Sequence, residues 1–146
     1  MLVKDVMTPS PLCCKPDTTI DQVAVLMADH DCGIVPVCNH SKLVGVITDR
    51  DITCRAVAKG KDPAAMPVGD VMTKTVYTIG QDEDVEAAIA LMEMKQVRRL
   101  PVLDEAGNLV GIVAPSDLAP TFASTNVADF LLAVSYWSRK PAPAVV

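Results

Sequence analysis

Apolar positions along the chain follow two rhythms, a helical one and a strand one, and the pair of rhythms occurs twice. Ile20, Val23, Ala24 and Met27 recur every three or four residues, which places them on one face of a helix. Thr19 followed by Gln22 resembles a capping box at its start. Ile34–Val37 and Leu43–Ile47 are short β-branched runs separated by Asn39–Lys42, the pattern of a hairpin. A second helix is predicted from near Thr48 to about Val57. Lys59–Pro67, with its two prolines, reads as a linker. The rhythm then restarts. Asp84 precedes a helix carrying Val85, Ala88, Ile89 and Met92, and Arg99–Leu103 and Leu109–Val113 form a second hairpin. Pro115 stands where a first helical turn tolerates it. Asn126 is expected to cap a last helix from Val127 to about Trp137, with Phe130, Leu131 and Val134 inward, before a disordered tail at 141–146.

The two halves are one unit written twice. Val3-Lys4-Asp5-Val6-Met7-Thr8 returns as Val68-Gly69-Asp70-Val71-Met72-Thr73, 65 residues later, and the same offset carries Pro36-Val37 onto Pro101-Val102. Leu43-Val44-Gly45-Val46-Ile47 maps onto Leu109-Val110-Gly111-Ile112-Val113 with an offset of 66, the extra residue falling in the turn at 104–108. The expected organisation is repeat one at 1–60, a linker at 61–67, repeat two at 68–125, an extra helix at 126–140 and a tail at 141–146. Each repeat is β-α-β-β-α, a mixed α/β (α+β) class. One such repeat leaves a sheet face uncovered, so two are expected to pack sheet to sheet with pseudo-two-fold symmetry, and so small a pair to form a homodimer.

Composition narrows the function. Of 146 residues half are hydrophobic but only 3% aromatic, so the core is built from aliphatic side chains. A net charge of −5 and few aromatics argue against nucleic acid as a partner. No apolar run reaches the length of a membrane span and no secretory pattern opens the chain, so a soluble, cytoplasmic location without membrane association is expected. The cysteines, Cys13, Cys14, Cys32, Cys38 and Cys54, show no CxxC spacing and read as small buried hydrophobes. A redox or metal role for Cys32 and Cys38 near His30 and His40 is the other reading, although the spacing matches no standard zinc arrangement. His30 reads as a helix-end residue and His40 as a solvated turn residue. No nucleophile–base set, HExxH or P-loop is present, so the chain is not read as an enzyme.

The repeated Asp-Val-Met-Thr opening, the strand ending in Pro-Val and Gly45-Val46-Ile47-Thr48-Asp49-Arg50-Asp51 together resemble the cystathionine-beta-synthase (CBS) repeat over nearly all of residues 1–124. The resemblance implies a Bateman module of two repeats. It also implies adenosine-type ligands bound between the repeats, and a regulatory role on an effector protein that the sequence does not identify. AMP, ADP or ATP is the expected ligand, with NAD and S-adenosylmethionine not excluded, and no other cofactor is implied.

Physics accounts for such a site at Thr48. A strand-to-helix junction offers backbone N–H groups and a helix dipole to an anion, and the Thr48 hydroxyl can donate to a phosphate oxygen. Asp51 can accept both ribose hydroxyls, and Arg50 would offset the charges of Asp49 and Asp51. From the residues alone, plain helix capping by Thr48 and Asp51 explains the pair equally well. The resemblance implies that Val35 and Pro36, with Leu12 and Cys13 of the first strand, wrap the adenine. In the second repeat Ala114 replaces the threonine and Pro115 removes a donor, while Asp117 keeps the ribose acceptor. Arg98 and Arg99, just before Leu100-Pro101, are the candidate phosphate cations there or for the first site; pairing with Glu93 or Asp104 is their other reading. The first site is therefore expected to bind nucleotide and the second to be weaker, different or empty. A scaffold or stress-response protein that binds no ligand and acts through protein contacts is the alternative.

Overall fold

The apolar rhythms become helices and strands where their periods predict them, although Ala24 and Leu131, expected on buried helix faces, are exposed. The computed structural model describes residues 1–121 and 124–135. In chain order the elements are α1 (Val3–Val6), β1 (Thr8–Pro9), α2 (Ile20–Asp29), β2 (Ile34–Asn39), β3 (Lys42–Thr48) and α3 (Asp49–Asp51). Then come β4 (Ile79–Gly80), α4 (Val85–Lys95), β5 (Leu100–Leu103), β6 (Leu109–Val113), α5 (Pro115–Leu118) and α6 (Ser124–Val134).

These elements form two compact units that are not the two repeats as the sequence writes them. One, the Thr48 unit, comprises Ser10–Val76 with Ala106–Leu109. The other, the Asp117 unit, comprises Met1–Pro9, Tyr77–Glu105 and the described residues from Val110 onward. The opening segments are thus exchanged, each lying in the unit built on the other repeat's hairpin.

In the Asp117 unit the sheet order is β1-β6-β5-β4, with Thr8 opposite Ile112 and Pro9 opposite Gly111. The Thr48 unit repeats that order with single residues at its edges. Val46 exchanges two hydrogen bonds with Thr73 (2.9 and 2.8 Å), β3 pairs antiparallel with β2, and Cys14 runs parallel to Val37 on the far side. Close approach of the opening segment explains the glycine in each hairpin. A Cβ on Gly45 would lie 2.7 Å from Met72 Sδ and 2.9 Å from the Thr73 carbonyl oxygen, and one on Gly111 would meet Met7 and Thr8.

The Thr48 unit buries Ile20, Val23 and Met27 of α2 against Val35, Val37 and Ile47 of the hairpin and against Ala56, Val68 and Val71. The Asp117 unit buries Val85, Ala88 and Met92 of α4 against Val3, Leu100, Val102, Val113 and Leu118, and Phe130 and Val134 of α6 close the same core. Each fully buried aliphatic side chain contributes about 1.5–3 kcal/mol.

Local differences from the expected elements have local causes. At the start of α2, Gln22 reaches back to the Thr19 N–H (3.2 Å), but the Thr19 hydroxyl turns to Asp21. The helix after β3 is not uniform. Three α residues pass into a π-helical turn at Ile52–Ala56 and a 3-10 turn at Val57–Lys59, which ends at Gly60 with φ 66°. α6 begins at Ser124, so Asn126 lies inside it instead of capping it; its expected end near Trp137 and the tail at 141–146 fall outside the described residues. His30 ends α2, its N–H bonded to the Leu26 carbonyl, and exposed His40 sits in the hairpin turn with φ 55°. No helix of the described residues is long and apolar enough to cross a membrane.

Candidate functional site

The antiparallel register sets Ile34 opposite Thr48 and Val35 opposite Ile47, so the chain entering β2 runs beside the chain leaving β3. The Asp49 N–H donates to the Gly33 carbonyl at 3.1 Å, which closes that corner. Eight expected site residues, Leu12, Cys13, Val35, Pro36, Thr48, Asp49, Arg50 and Asp51, lie in the Thr48 unit; Arg98, Arg99, Pro101 and Asp117 lie in the other. The segment expected as the first strand forms only an isolated bridge, at Cys14, whose N–H donates to the Pro36 carbonyl (3.0 Å) and whose carbonyl accepts from the Cys38 N–H (2.9 Å). Leu12 and Cys13, just before it, are exposed, whereas Val35 and Pro36 are buried.

Thr48 and Asp51 cap each other. The Asp51 N–H donates to Thr48 Oγ1 at 3.0 Å and the Thr48 N–H donates to Asp51 Oδ2 at 3.1 Å. The expected supply of free backbone donors is absent at this corner. Besides these two amides and that of Asp49, the Arg50 N–H is taken by Asp49 Oδ1 (2.8 Å) and the Ile52 N–H by the Asp49 carbonyl. Thr48 nevertheless keeps its hydroxyl proton, for which no acceptor occurs among the described residues.

Asp51 is the one buried charged side chain among the described residues, 8% exposed. The cation set against it is Arg55, whose Nε lies 3.7 Å from Oδ1. Arg50, which the sequence suggested for this role, is exposed and makes no ion pair among the described residues. Residues four apart on a helix share a face and adjacent ones do not, which explains the exchange of roles. Thr73 adds a hydroxyl 3.3 Å from Oδ2 and 3.5 Å from Oδ1. Oδ2 is therefore well occupied, and Oδ1 retains acceptor capacity because its two neighbours stand at the limit of bonding distance. Arg55 was findable from its i,i+4 spacing to Asp51. Thr73 was not, since in sequence it only begins the second repeat.

In the Asp117 unit the carboxylate also turns back, Oδ2 accepting from the Ala114 N–H at 2.8 Å. No threonine hydroxyl completes a box, and among the described residues no cation pairs with Asp117. Arg98 and Arg99 are exposed, and neither forms an ion pair with Glu93 among the described residues.

The cysteines behave as small hydrophobes where they are buried. Burial pushes the Cys14 thiol from 9.0 up to about 11 and the Cys38 thiol up to about 12, with neighbouring Cys13 adding to both. The folded chain therefore resists ionising either thiol. This contribution to stability is whole below pH 9.0 and is lost as the pH rises toward 11 and 12. In the native protein a thiol reagent at pH 8 is expected to label exposed Cys13 and Cys54 first, with Cys14 and Cys38 reacting only on unfolding. Mass mapping of the labelled peptides checks this, and equal rates would contradict the assigned burial. Among the described residues no group of three His, Cys, Asp or Glu side chains could hold a metal ion.

The family model described as CBS domain matches the chain twice, over residues 3–56 and 68–123. The chain is 43% identical over 130 residues to the CBS domain-containing protein YhcV of Bacillus subtilis, covering 89% of this chain and 91% of that protein. It is 32% identical over 132 residues to Hypoxic response protein 1 of Mycobacterium tuberculosis, covering 90% and 92%. A solved structure of Hypoxic Response Protein I with two coordinated zinc ions superposes with a TM-score of 0.76 at 32% identity, over 84% of this chain and 100% of that one. The structure of CBSX2 in complex with AMP gives 0.71 at 28% identity, over 82% and 94%. The CBS domain pair of protein MJ0100 with 5'-methylthioadenosine and S-adenosyl-L-methionine gives 0.73 at 31% identity, over 84% and 100%.

Proposed function

The chain belongs to the CBS domain family, with the domain present twice, and on that premise we propose that it is a regulatory module, not an enzyme, whose Thr48 unit binds an adenosine-containing small molecule. The observation that carries the proposal is the Asp51 carboxylate. It is buried, beside the end of β3 and the start of β2, and it keeps an under-used acceptor at Oδ1. A carboxylate in that state suits vicinal ribose hydroxyls, which would supply the short hydrogen bonds that Arg55 and Thr73 do not. Buried Val35 and Pro36 provide apolar surface and backbone groups for a purine. Relatives crystallised with AMP, with 5'-methylthioadenosine and with S-adenosyl-L-methionine share adenosine, the part that Asp51 and its neighbours would read.

Beyond the ribose, the proton of the Thr48 hydroxyl favours a phosphate-bearing ligand, AMP, ADP or ATP, over S-adenosylmethionine. The Asp117 unit, with Ala114 and, among the described residues, no cation paired with its carboxylate, is the weaker, different or empty site. Binding would act by favouring one arrangement of the protein over another, and its leverage is limited to the ligand's differential affinity for the two. The proposal includes a cytoplasmic homodimer that acts on an effector protein.

The test is calorimetric titration of the full chain, stripped of ligand and shown to be folded, with AMP, ADP, ATP, NAD, S-adenosylmethionine and 5'-methylthioadenosine. Micromolar binding of one adenosine compound supports the proposal. Absence of heat with all six points to the second reading, a scaffold acting through protein contacts. The self-satisfied amides of the Thr48 corner are the observation that favours that reading.

A further inference from the structure

The polar contacts of Asp51 do not end at the proposed ligand site. Arg55 Nη1 donates to the Val71 carbonyl at 3.0 Å and to the Met72 carbonyl at 3.3 Å, and it lies 3.4 Å from Thr73 Oγ1. The same guanidinium presents Nε to Asp51 Oδ1, and Thr73 closes the circuit by donating to Oδ2. One planar group thus joins the carboxylate to three consecutive residues, a task suited to arginine's fixed fork of donors. Those residues open the second repeat, and Thr73 is itself locked to Val46 of β3 by two backbone bonds. Arg55 sits in the π-helical turn Ile52–Ala56, a widened geometry that is uncommon and concentrates at functional sites.

The arrangement is not a by-product of the repeat. At the 66-residue offset Arg55 becomes Thr121, whose hydroxyl turns back to the Leu118 carbonyl, and Thr48 becomes Ala114. Among the described residues only the Thr48 unit has the link.

We infer that Arg55 is the positioning residue of the Asp51 site and that, with Thr73, it couples occupancy of that site to the segment Val71–Thr73. The inference rests on the ligand reading given above. A ribose hydroxyl arriving at Oδ1 meets the atom that Arg55 Nε faces. Binding that draws the guanidinium closer or displaces it is felt at the carbonyls of Val71 and Met72, to which the same group is bonded. Coupling of this kind is reciprocal, so a change at Thr73 alters ligand affinity as surely as ligand alters Thr73. The segment lies shortly before the unit ends at Val76, where a local change reaches the chain that leaves the unit.

The experiment titrates the full chain with AMP, and with 5'-methylthioadenosine as a second probe, for wild type, Arg55→Ala, Arg55→Lys, Thr73→Val, Asp51→Asn and the double variant Asp51→Asn/Arg55→Ala. Loss of the cation beside Asp51, together with its bonds to the Val71 and Met72 carbonyls, predicts about tenfold weaker binding for Arg55→Ala. Arg55→Lys recovers part of it, since an ammonium pairs with Asp51 but cannot also span both carbonyls. In the Asp51→Asn background the further loss on Arg55→Ala shrinks well below tenfold, which a purely structural role would not produce. Hydrogen exchange read by mass spectrometry gives the second measure: AMP slows the peptide containing Val71–Thr73 in wild type and not in Arg55→Ala. Wild type that binds while Arg55→Ala binds equally well, or losses that add in full, overturns the inference and leaves the ligand site standing. Wild type that binds neither probe overturns the site reading and this inference with it. If Arg55→Ala does not fold, Arg55→Lys and Thr73→Val decide the matter by the same criteria.

Discussion

Asp51→Ala is expected to weaken binding of the proposed adenosine ligand by more than tenfold, because a lost charged hydrogen-bond acceptor is worth about 1.5–3 kcal/mol. The substitution removes the acceptor of the Thr48 N–H, the partner of Arg55 and the one buried charge among the described residues. Part of its effect falls on the fold, since loss of a cap alone costs about 0.5–2 kcal/mol. Asp51→Asn separates the two contributions. It keeps one oxygen in place for the Thr48 amide, so the corner holds, and it removes the charge and half of the acceptor capacity offered to ribose. Affinity measured by calorimetry beside thermal unfolding therefore reads binding and folding independently. Asp117→Ala is the matched control in the other unit and should cost much less for the first ligand bound. An equal loss at Asp117 would overturn the ranking of the two sites, and unchanged affinity in Asp51→Ala would place the ligand elsewhere.

Ile47→Ala carries the largest expected loss of stability, about 2–5 kcal/mol, against about 0.5–1.5 kcal/mol for Ile47→Val. Ile47 is fully buried opposite Val35, at the centre of the Thr48 unit's core, and the next residue is the capping threonine. A cavity there removes apolar contacts from both strands of the hairpin. Domains of this size are stable by only about 5–15 kcal/mol, so the alanine variant forfeits a large share. Urea unfolding followed by circular dichroism gives the difference directly, provided the two variants show the same denaturant slope. A loss no larger for alanine than for valine would mean that the position is not packed as described.

Much of the molecule was legible before any coordinates. Helical spacing placed α2 and α4, and the paired β-branched runs placed both hairpins to within about two residues. Those features depend on neighbours close in sequence, where a side chain's period settles which face is buried. The candidate carboxylate was legible for the same reason, since Thr48 and Asp51 interact across a single turn. What composition suggested about the cysteines holds at Cys14 and Cys38, which are buried, and fails at Cys13 and Cys54, which are exposed, with Cys32 between the two.

Other features needed contacts between residues far apart. The sequence places Val68–Thr73 at the head of the second repeat, yet Val68 and Val71 pack into the Thr48 unit's core and Thr73 pairs with Val46. No local period encodes that exchange, because an edge strand of one or two residues is held by backbone bonds that depend little on its side chains. The same cause hid Thr73 as a partner of Asp51. The free amides expected at the Thr48 corner were a subtler failure. Asp51, Asp49 and Thr48 satisfy three of them within a single turn, and the hairpin register that brings Gly33 beside Asp49 satisfies the fourth.

By itself, then, the sequence determined the duplicated β-α-β-β-α unit, the aliphatic core positions, the capping pair at Thr48 and Asp51, and the degraded counterpart at Ala114 and Asp117, all of them matters of local spacing. Tertiary structure alone decided which opening segment completes which sheet and that Thr73 joins Asp51 and Arg55. Each of these is set by pairing across tens of residues, where chain periodicity carries no information.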